Sequence, residues 1–389
     1  MGCNVCDAET LETFCEVPSV PVHCNVLAHT RKQALAAPRG AIHLGFCRCC
    51  GAMRNTAFDA SRVRYTEDYE NSLHFSPRFE SYAEDLAEYL VDRYELEDCD
   101  IVEIGCGQGE FLSLLCRGGR NRGLGFDRSH RGPVSAVEAS GARILSEDFS
   151  PERIPSRVDL ICCRHVLEHV AQPLPFLRSL RAAAEAAGRP AFYFEVPDGL
   201  WTVRDLGIWD LIYEHCSYFT APALHQLLAR AGFRTSDVRS TYGGQFLRVE
   251  AELGGGERDT DSGRMGEVAA MRPWIARFGR AYAETLATWR ARMEEWRDAG
   301  RRTAVWGAGS KGVTFLNAIQ TDGAVQEVID LNPRKRGRYV PGTGHRIEGP
   351  ERLRDRDVDH VLVMNPLYLG EVREQLAGLG SRAQLQSVS

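Results

Sequence analysis

The stretch Ile101-Val102-Glu103-Ile104-Gly105-Cys106-Gly107-Gln108-Gly109-Glu110-Phe111-Leu112 decides the architecture. A short apolar run reads as a buried strand, the glycines make a turn, and a helix opens at once and runs to Cys116. Glycine is required there because a side chain would block the approach of a ligand to the backbone. The spacing is Gly-x-Gly-x-Gly, which differs from the Gly-x-Gly-x-x-Gly of dinucleotide binders. Upstream, Tyr82, Leu86, Tyr89, Leu90 and Tyr94 recur at helical intervals. Downstream, Gly123-Leu124-Gly125-Phe126-Asp127 is a second strand ending in an acid placed to accept ribose hydroxyls. Ser146-Glu147-Asp148-Phe149 follows as a third acidic turn, where an adenine amino group could be met. Val158-Asp159-Leu160-Ile161-Cys162-Cys163 is a fourth strand, and His165, Glu168 and His169 come just after it.

This ordered series, over about residues 100–200, resembles the class I S-adenosylmethionine (SAM) methyltransferases. The resemblance implies an α/β, Rossmann-like core with SAM at the C-terminal edge of its parallel strands. It assigns Asp127 to the ribose, Asp148 and Phe149 to the adenine, and Gly105 and Gly107 to the methionine moiety. Glu103, two residues before the first glycine, is typical of that family, and His165 joins the cofactor group.

The chain has 389 residues, too many for one core of ordinary size, so two or three domains are expected. Apolar residues make up 43% and charged residues 26%, the balance of a soluble globular protein. With 53 acids against 47 bases the net charge is −6, which argues against a nucleic-acid partner held by its phosphates. No apolar run approaches the ~18 residues of a membrane span. The first residues lack the layout of a signal peptide, so a cytoplasmic location is expected.

Of 13 cysteines, seven fall within the first 50 residues. Cys3-x-x-Cys6 and Cys47-x-x-Cys50 have the spacing that lets two thiolate pairs grip one tetrahedral ion, and four thiolates favour a closed, structural zinc. A redox pair or several free cysteines is the competing reading. Cys49 could compete for the metal, while Cys15 and Cys24 read as filler.

Residues 254–262 read as a linker, and residues 265–299 as a long helix with a stripe of Trp274, Phe278, Tyr282, Leu286, Trp289, Met293 and Trp296. Thr303-Ala304-Val305-Trp306 then enters Gly307-Ala308-Gly309-Ser310-Lys311-Gly312, a Gly-x-Gly-x-x-Gly turn, with Asp330 ending the next strand. By spacing this is a dinucleotide fingerprint. One methyl transfer rarely needs two such cofactors, so the helix N-terminus and Lys311 are assigned to the phosphates of a nucleotide-linked acceptor. A ligand-free fold and an NAD-using second activity are the alternatives.

The whole chain resembles the sugar C-methyltransferases that act on nucleotide-linked keto-deoxysugars. The motifs are the paired Cys-x-x-Cys, the turn from Glu103 to Gly109, Glu214-His215, Gly243-Gly244 after Tyr242, Gly307-Ala308-Gly309-Ser310-Lys311, and Asp330 to Arg338 followed by Pro341-Gly342. The resemblance implies a zinc-binding module (1–75), a SAM-binding catalytic domain (76–253), a linker and long helix (254–300) and a Rossmann-like domain (301–389). It makes His215 the base that removes the proton alpha to a keto group, with Glu214 assisting and Tyr69 and His169 as secondary contacts. Tyr213, His74, Gly244 and Lys311 are the expected substrate contacts. The chain departs from the family in placing Tyr213 immediately before Glu214, and in reading Tyr69-Glu70-Asn71-Ser72-Leu73-His74 where the family has Tyr-x-x-Tyr-His. The alternatives are an O- or N-methyltransferase and a zinc-containing binding protein without turnover.

Overall fold

A computed structural model of the protein describes residues 2–132, 135–254, 262–319, 323–354 and 356–388. Among these residues, three sheets make up the frame. The N-terminal sheet runs Glu12–Pro21, Arg39–Phe46, Met53–Asn55, all antiparallel, and takes its fourth strand from Ser217–Tyr218. The strand that follows His215 is therefore an edge of the N-terminal module, and the first two units interlock.

The central sheet has eight strands. Five are parallel, in the order Ala142–Leu145, Arg122–Phe126, Asp100–Ile104, Leu160–Arg164, Ala191–Pro197. Phe246–Leu253 pairs antiparallel to the last of these and carries Phe233–Thr235 and Arg239–Thr241 on its other side. The sequence explains the order: near-continuous apolar strands are buried on both faces by helices. Helix Pro77–Arg93 covers one face. Ser76 caps it by accepting from the Phe79 N–H at 3.4 Å, Pro77 sits where its missing N–H costs nothing, and Phe79, Ala83, Leu86, Ala87 and Leu90 form the buried stripe. Truncating Leu86 or Leu90 to alanine would cost about 2–5 kcal/mol.

The C-terminal sheet is wholly parallel, in the order Ile347–Glu348, Glu327–Ile329, Thr303–Trp306, His360–Val363, Gln384–Ser387. Helix Ser262–Asp298 fastens it to the rest. Phe278 meets Phe14 of the N-terminal sheet edge-on at 6.1 Å, and Trp289 meets Phe315 of helix Ser310–Ile319 at 5.7 Å. Trp274, part of the expected apolar stripe, is exposed, while Met271 and Ile275 beside it are buried. Most of the stretch read as a linker, residues 255–261, lies outside the described residues. No helix among the described residues is long and apolar enough to cross a membrane.

Candidate active site

The parallel strands of the central and C-terminal sheets aim their C-terminal ends at one cavity of about 380 Å³. From the central sheet come Gly105, Gly107, Asp127, Arg164, His165 and Pro197; from the C-terminal sheet come Trp306, Gly307, Asp330 and Asn365. Strand ends in open α/β sheets leave such a crevice because the helices turn away from it.

The two glycine turns are built alike. In the first, the Gly107 N–H donates to Asp127 Oδ2 at 2.7 Å, and the Ser129 N–H and hydroxyl donate to Oδ1 at 2.7 and 2.6 Å. In the second, the Ala308 N–H donates to Asp330 Oδ2 at 2.7 Å and the Asn332 N–H to Oδ1 at 2.9 Å. Gly107 has φ +57° and open space where a Cβ would stand, so the backbone presents itself bare to the cavity. At Gly312 a Cβ would lie 1.9 Å from the Gly307 carbonyl oxygen, so only glycine lets the helix start this close to the turn.

Glu103 lies fully buried on the cavity wall, and its Oε2 has no hydrogen-bond partner among the described residues. Burial pushes its carboxyl up to about 8 despite the nearby Arg164. Beside it Glu195 accepts from Arg164 Nη2 at 3.0 Å, from the Tyr193 hydroxyl at 2.9 Å and from the Tyr82 hydroxyl. Burial alone would raise Glu195; Arg164 and His165 outweigh it and hold the carboxylate well below its usual range. His165 has Nε2 3.0 Å from Glu195 Oε1 and Nδ1 3.6 Å from Glu168 Oε1. Burial opposes its charge, but the two carboxylates win and raise it to about 9.

His215 and His169 both line the cavity and pack edge-on against each other, their ring centres 4.8 Å apart. Burial, with His169, His165 and Lys311 as neighbours, pushes His215 well below the ordinary histidine value. It is thus a neutral base at neutral pH. His169 Nδ1 lies 2.8 Å from the Tyr65 hydroxyl and 3.1 Å from the Glu214 carbonyl oxygen. Tyr69 lines the same wall, its hydroxyl accepting from Asn25 Nδ2 at 3.5 Å. His74 also reaches the cavity, where burial and Arg164 lower it to about 4. Lys311 is there too, but its ammonium is paired with Asp210 and lies 5.0 Å over the Trp201 ring.

Several expected site residues stand elsewhere. Glu214 does not reach the cavity: its carboxylate accepts from the Cys24 N–H at 2.9 Å and meets His23 Nδ1 at 3.3 Å, because a residue next to His215 points the other way. Tyr213 is turned into the N-terminal module, where its hydroxyl accepts from the Asp59 N–H at 2.9 Å and its ring packs on Phe58. Gly244 shapes the turn behind Trp201, while its neighbours Tyr242 and Gln245 form the wall. Asp148 faces solvent, paired with Arg128 Nε at 3.0 Å, and Phe149 packs edge-on against Phe126 at 5.6 Å; neither lines the cavity. Conversely Trp201, Gln245 and Asn365 line it with no local motif to announce them, and Asp210 and Asn332 line it from segments singled out for other residues. Gln245 and Asn365 exchange two amide hydrogen bonds of 2.9 Å, tying the central sheet to the C-terminal one.

The four thiols Cys3, Cys6, Cys47 and Cys50 converge within 4.8 Å of one another, with Cys3–Cys50 and Cys6–Cys47 at 3.5 Å. Two knuckles with the same bonds form them: the Cys3 N–H donates to the Ala8 carbonyl and the Cys47 N–H to the Ala52 carbonyl, both at 2.8 Å. Such a cluster can hold a metal ion, and none of its members lines the cavity. It braces the His215 strand instead, through Asn4 Nδ2 to Ser217 Oγ at 2.9 Å and Thr220 Oγ1 to the Gly51 carbonyl at 3.2 Å. Cys49 is exposed outside the cluster, and Cys15 and Cys24 are buried in the apolar core.

Residues 74–238 match the family model of a methyltransferase domain, and residues 266–384 match that of the C-methyltransferase C-terminal domain. The two matches mark the chain as a SAM-dependent methyltransferase. A relative, C-methyltransferase NovU of Streptomyces niveus, is 25% identical over 305 residues, which are 74% of this chain and 71% of that protein. Among solved structures, a SAM-dependent methyltransferase from Aquifex aeolicus is 18% identical, covering 44% of this chain and 97% of its own at a TM-score of 0.33. Magnesium protoporphyrin IX methyltransferase (ChlM) from Synechocystis PCC 6803, with bound SAH, is also 18% identical, covering 45% and 83% at a TM-score of 0.33. Residues of both matched segments line the cavity.

Proposed function

We propose that this methyltransferase methylates a carbon next to the keto group of a nucleotide-linked deoxysugar, with His215 as the base. The observation that carries the reading is that His215, the Gly107–Asp127 turn and the Ala308–Asp330 turn line one cavity. The sugar would lie between the turns and its diphosphate against the second one. Bound SAM supplies the methyl group as an electrophile, so the chain has to prepare a carbon nucleophile. Neutral His215 takes the proton alpha to the ketone, and the proton passes from the imidazole to solvent. The electron pair left behind forms the new bond to the methyl carbon as the bond from that carbon to the donor's sulfur breaks, its pair staying on sulfur to leave SAH. His169, backed by the Tyr65 hydroxyl, faces the oxygen on which negative charge gathers. Glu168, buried beside them, offsets the positive charge that His215 acquires.

Lys311 would exchange Asp210 for a phosphate, aided by the N–H groups that open helix Ser310–Ile319. The four N-terminal thiols suit zinc: soft ligands in a closed, tetrahedral set without a free position. That ion would serve the fold.

Nucleoside-diphosphate 4-keto-deoxysugars incubated in D2O with S-adenosylhomocysteine (SAH) test the base. The alpha hydrogen should exchange for deuterium with the parent chain and not with His215→Asn. Equal exchange in both removes His215 from the role.

A further inference from the structure

Residues 65–76 lead into helix Pro77–Arg93, and Tyr69 to Ser76 of this segment line the cavity. Glu70, in the middle, is a buried acid that the mechanism does not use. Its Oε2 accepts from Arg131 Nη1 at 2.8 Å and its Oε1 from Asn332 Nδ2 at 2.9 Å, with Arg334 Nη1 3.6 Å from Oε2.

Each partner leads to one turn. On the SAM side, the Arg131 N–H donates to Gln108 Oε1 at 3.2 Å, and Gln108 Nε2 donates to the Ser129 carbonyl at 3.0 Å. Ser129 in turn donates to Asp127, which holds Gly107. On the other side the Asn332 N–H donates to Asp330, which holds Ala308. An unbroken run of hydrogen bonds thus joins the two turns, and its two branches meet at Glu70. Ser72 runs alongside, its hydroxyl donating to Glu110 Oε1 at 3.1 Å.

We propose that Glu70 is a positioning residue that couples the two turns, so that a ligand fixing one turn orders the other. The proposal rests on the cavity being shared by two ligands. A ligand that stills Asp127 and Ser129 also stills Gln108, Arg131 and the Glu70 carboxylate, which then holds Asn332 and Asp330 in place. The ordering cost of the second turn is met by the first ligand, and linkage makes the effect mutual. Glutamine at position 70 would keep one acceptor oxygen but turn an N–H donor toward Arg131 or Asn332, both donors.

Amide hydrogen exchange read by mass spectrometry over residues 303–312, with and without saturating SAH, tests this. In the parent, SAH should slow exchange at this remote turn by about fivefold or more. In Glu70→Gln the slowing should vanish while SAH still protects residues 105–109. Arg131→Met, which cuts only the SAM-side branch, should behave the same and serves if the first variant does not fold. Equal slowing in parent and variants, or none in the parent, overturns the proposal. A separate calorimetric titration with thymidine diphosphate tests the acceptor reading: no binding there, with the SAH effect intact, would remove the nucleotide and leave the coupling.

Discussion

Replacing His165 by glutamine should change how stability depends on pH. The folded imidazole titrates at about 9, because Glu168 and Glu195 overcome the penalty of burial, whereas an unfolded histidine titrates near 6.5. With the folded value the higher, its stabilisation is fully present below about pH 6.5 and is lost as the pH rises through 9. At about 1.4 kcal/mol per pH unit the ceiling is roughly 3 kcal/mol. The side chain is 27% exposed, and solvent screening brings the expectation nearer to about 2 kcal/mol. Urea unfolding at pH 6 and pH 9 measures it. Between those values the parent should lose about 2 kcal/mol more than His165→Gln. The same loss in both chains would refute the charged imidazole.

Asp127→Ala removes three hydrogen bonds to a carboxylate at the first turn; SAH affinity by calorimetry should fall by about tenfold to a hundredfold, and an unchanged affinity contradicts the assignment. His215→Asn should lower kcat by about a hundredfold to ten-thousandfold. In the parent the acid limb of kcat/KM should lie below pH 6.5, since only the neutral imidazole accepts a proton and burial holds His215 low; a limb near pH 7 speaks against it. A chelator, or Cys47→Ser, should lower the melting temperature and loosen the Ser217–Tyr218 strand, since structural zinc contributes on the order of 10 kcal/mol where it is bound. A purified chain free of metal and indifferent to chelation would remove the zinc.

Much of the architecture is legible because it depends on local patterns. Apolar runs ending in glycine turns and acids specify the parallel strands of both sheets, and Asp127 and Asp330 sit where those patterns put them. What pattern cannot carry is which way a side chain turns at an irregular segment. Glu214 and His215 are neighbours in the chain, yet one holds the Cys24 backbone and the other faces the cavity. Asp148 reads as an adenine contact, and its exposed pairing with Arg128, twenty residues earlier, is not visible in that local pattern. The wall formed by Trp201, Gln245 and Asn365 exists only where the two sheets meet, so no single stretch encodes it. Glu70 stands in a polar stretch that the sequence does single out, but its partners lie 61 and 262 residues away, so its role cannot be read from that stretch.

Transfer from SAM carrying a carbon-13 methyl group to a nucleoside-diphosphate 4-keto-deoxysugar, followed by carbon NMR, tests the central claim directly. The account predicts a labelled methyl on the carbon next to the ketone, seen as a new methyl signal coupled to the ring. Label on oxygen or nitrogen, or no transfer to any sugar nucleotide, would contradict it.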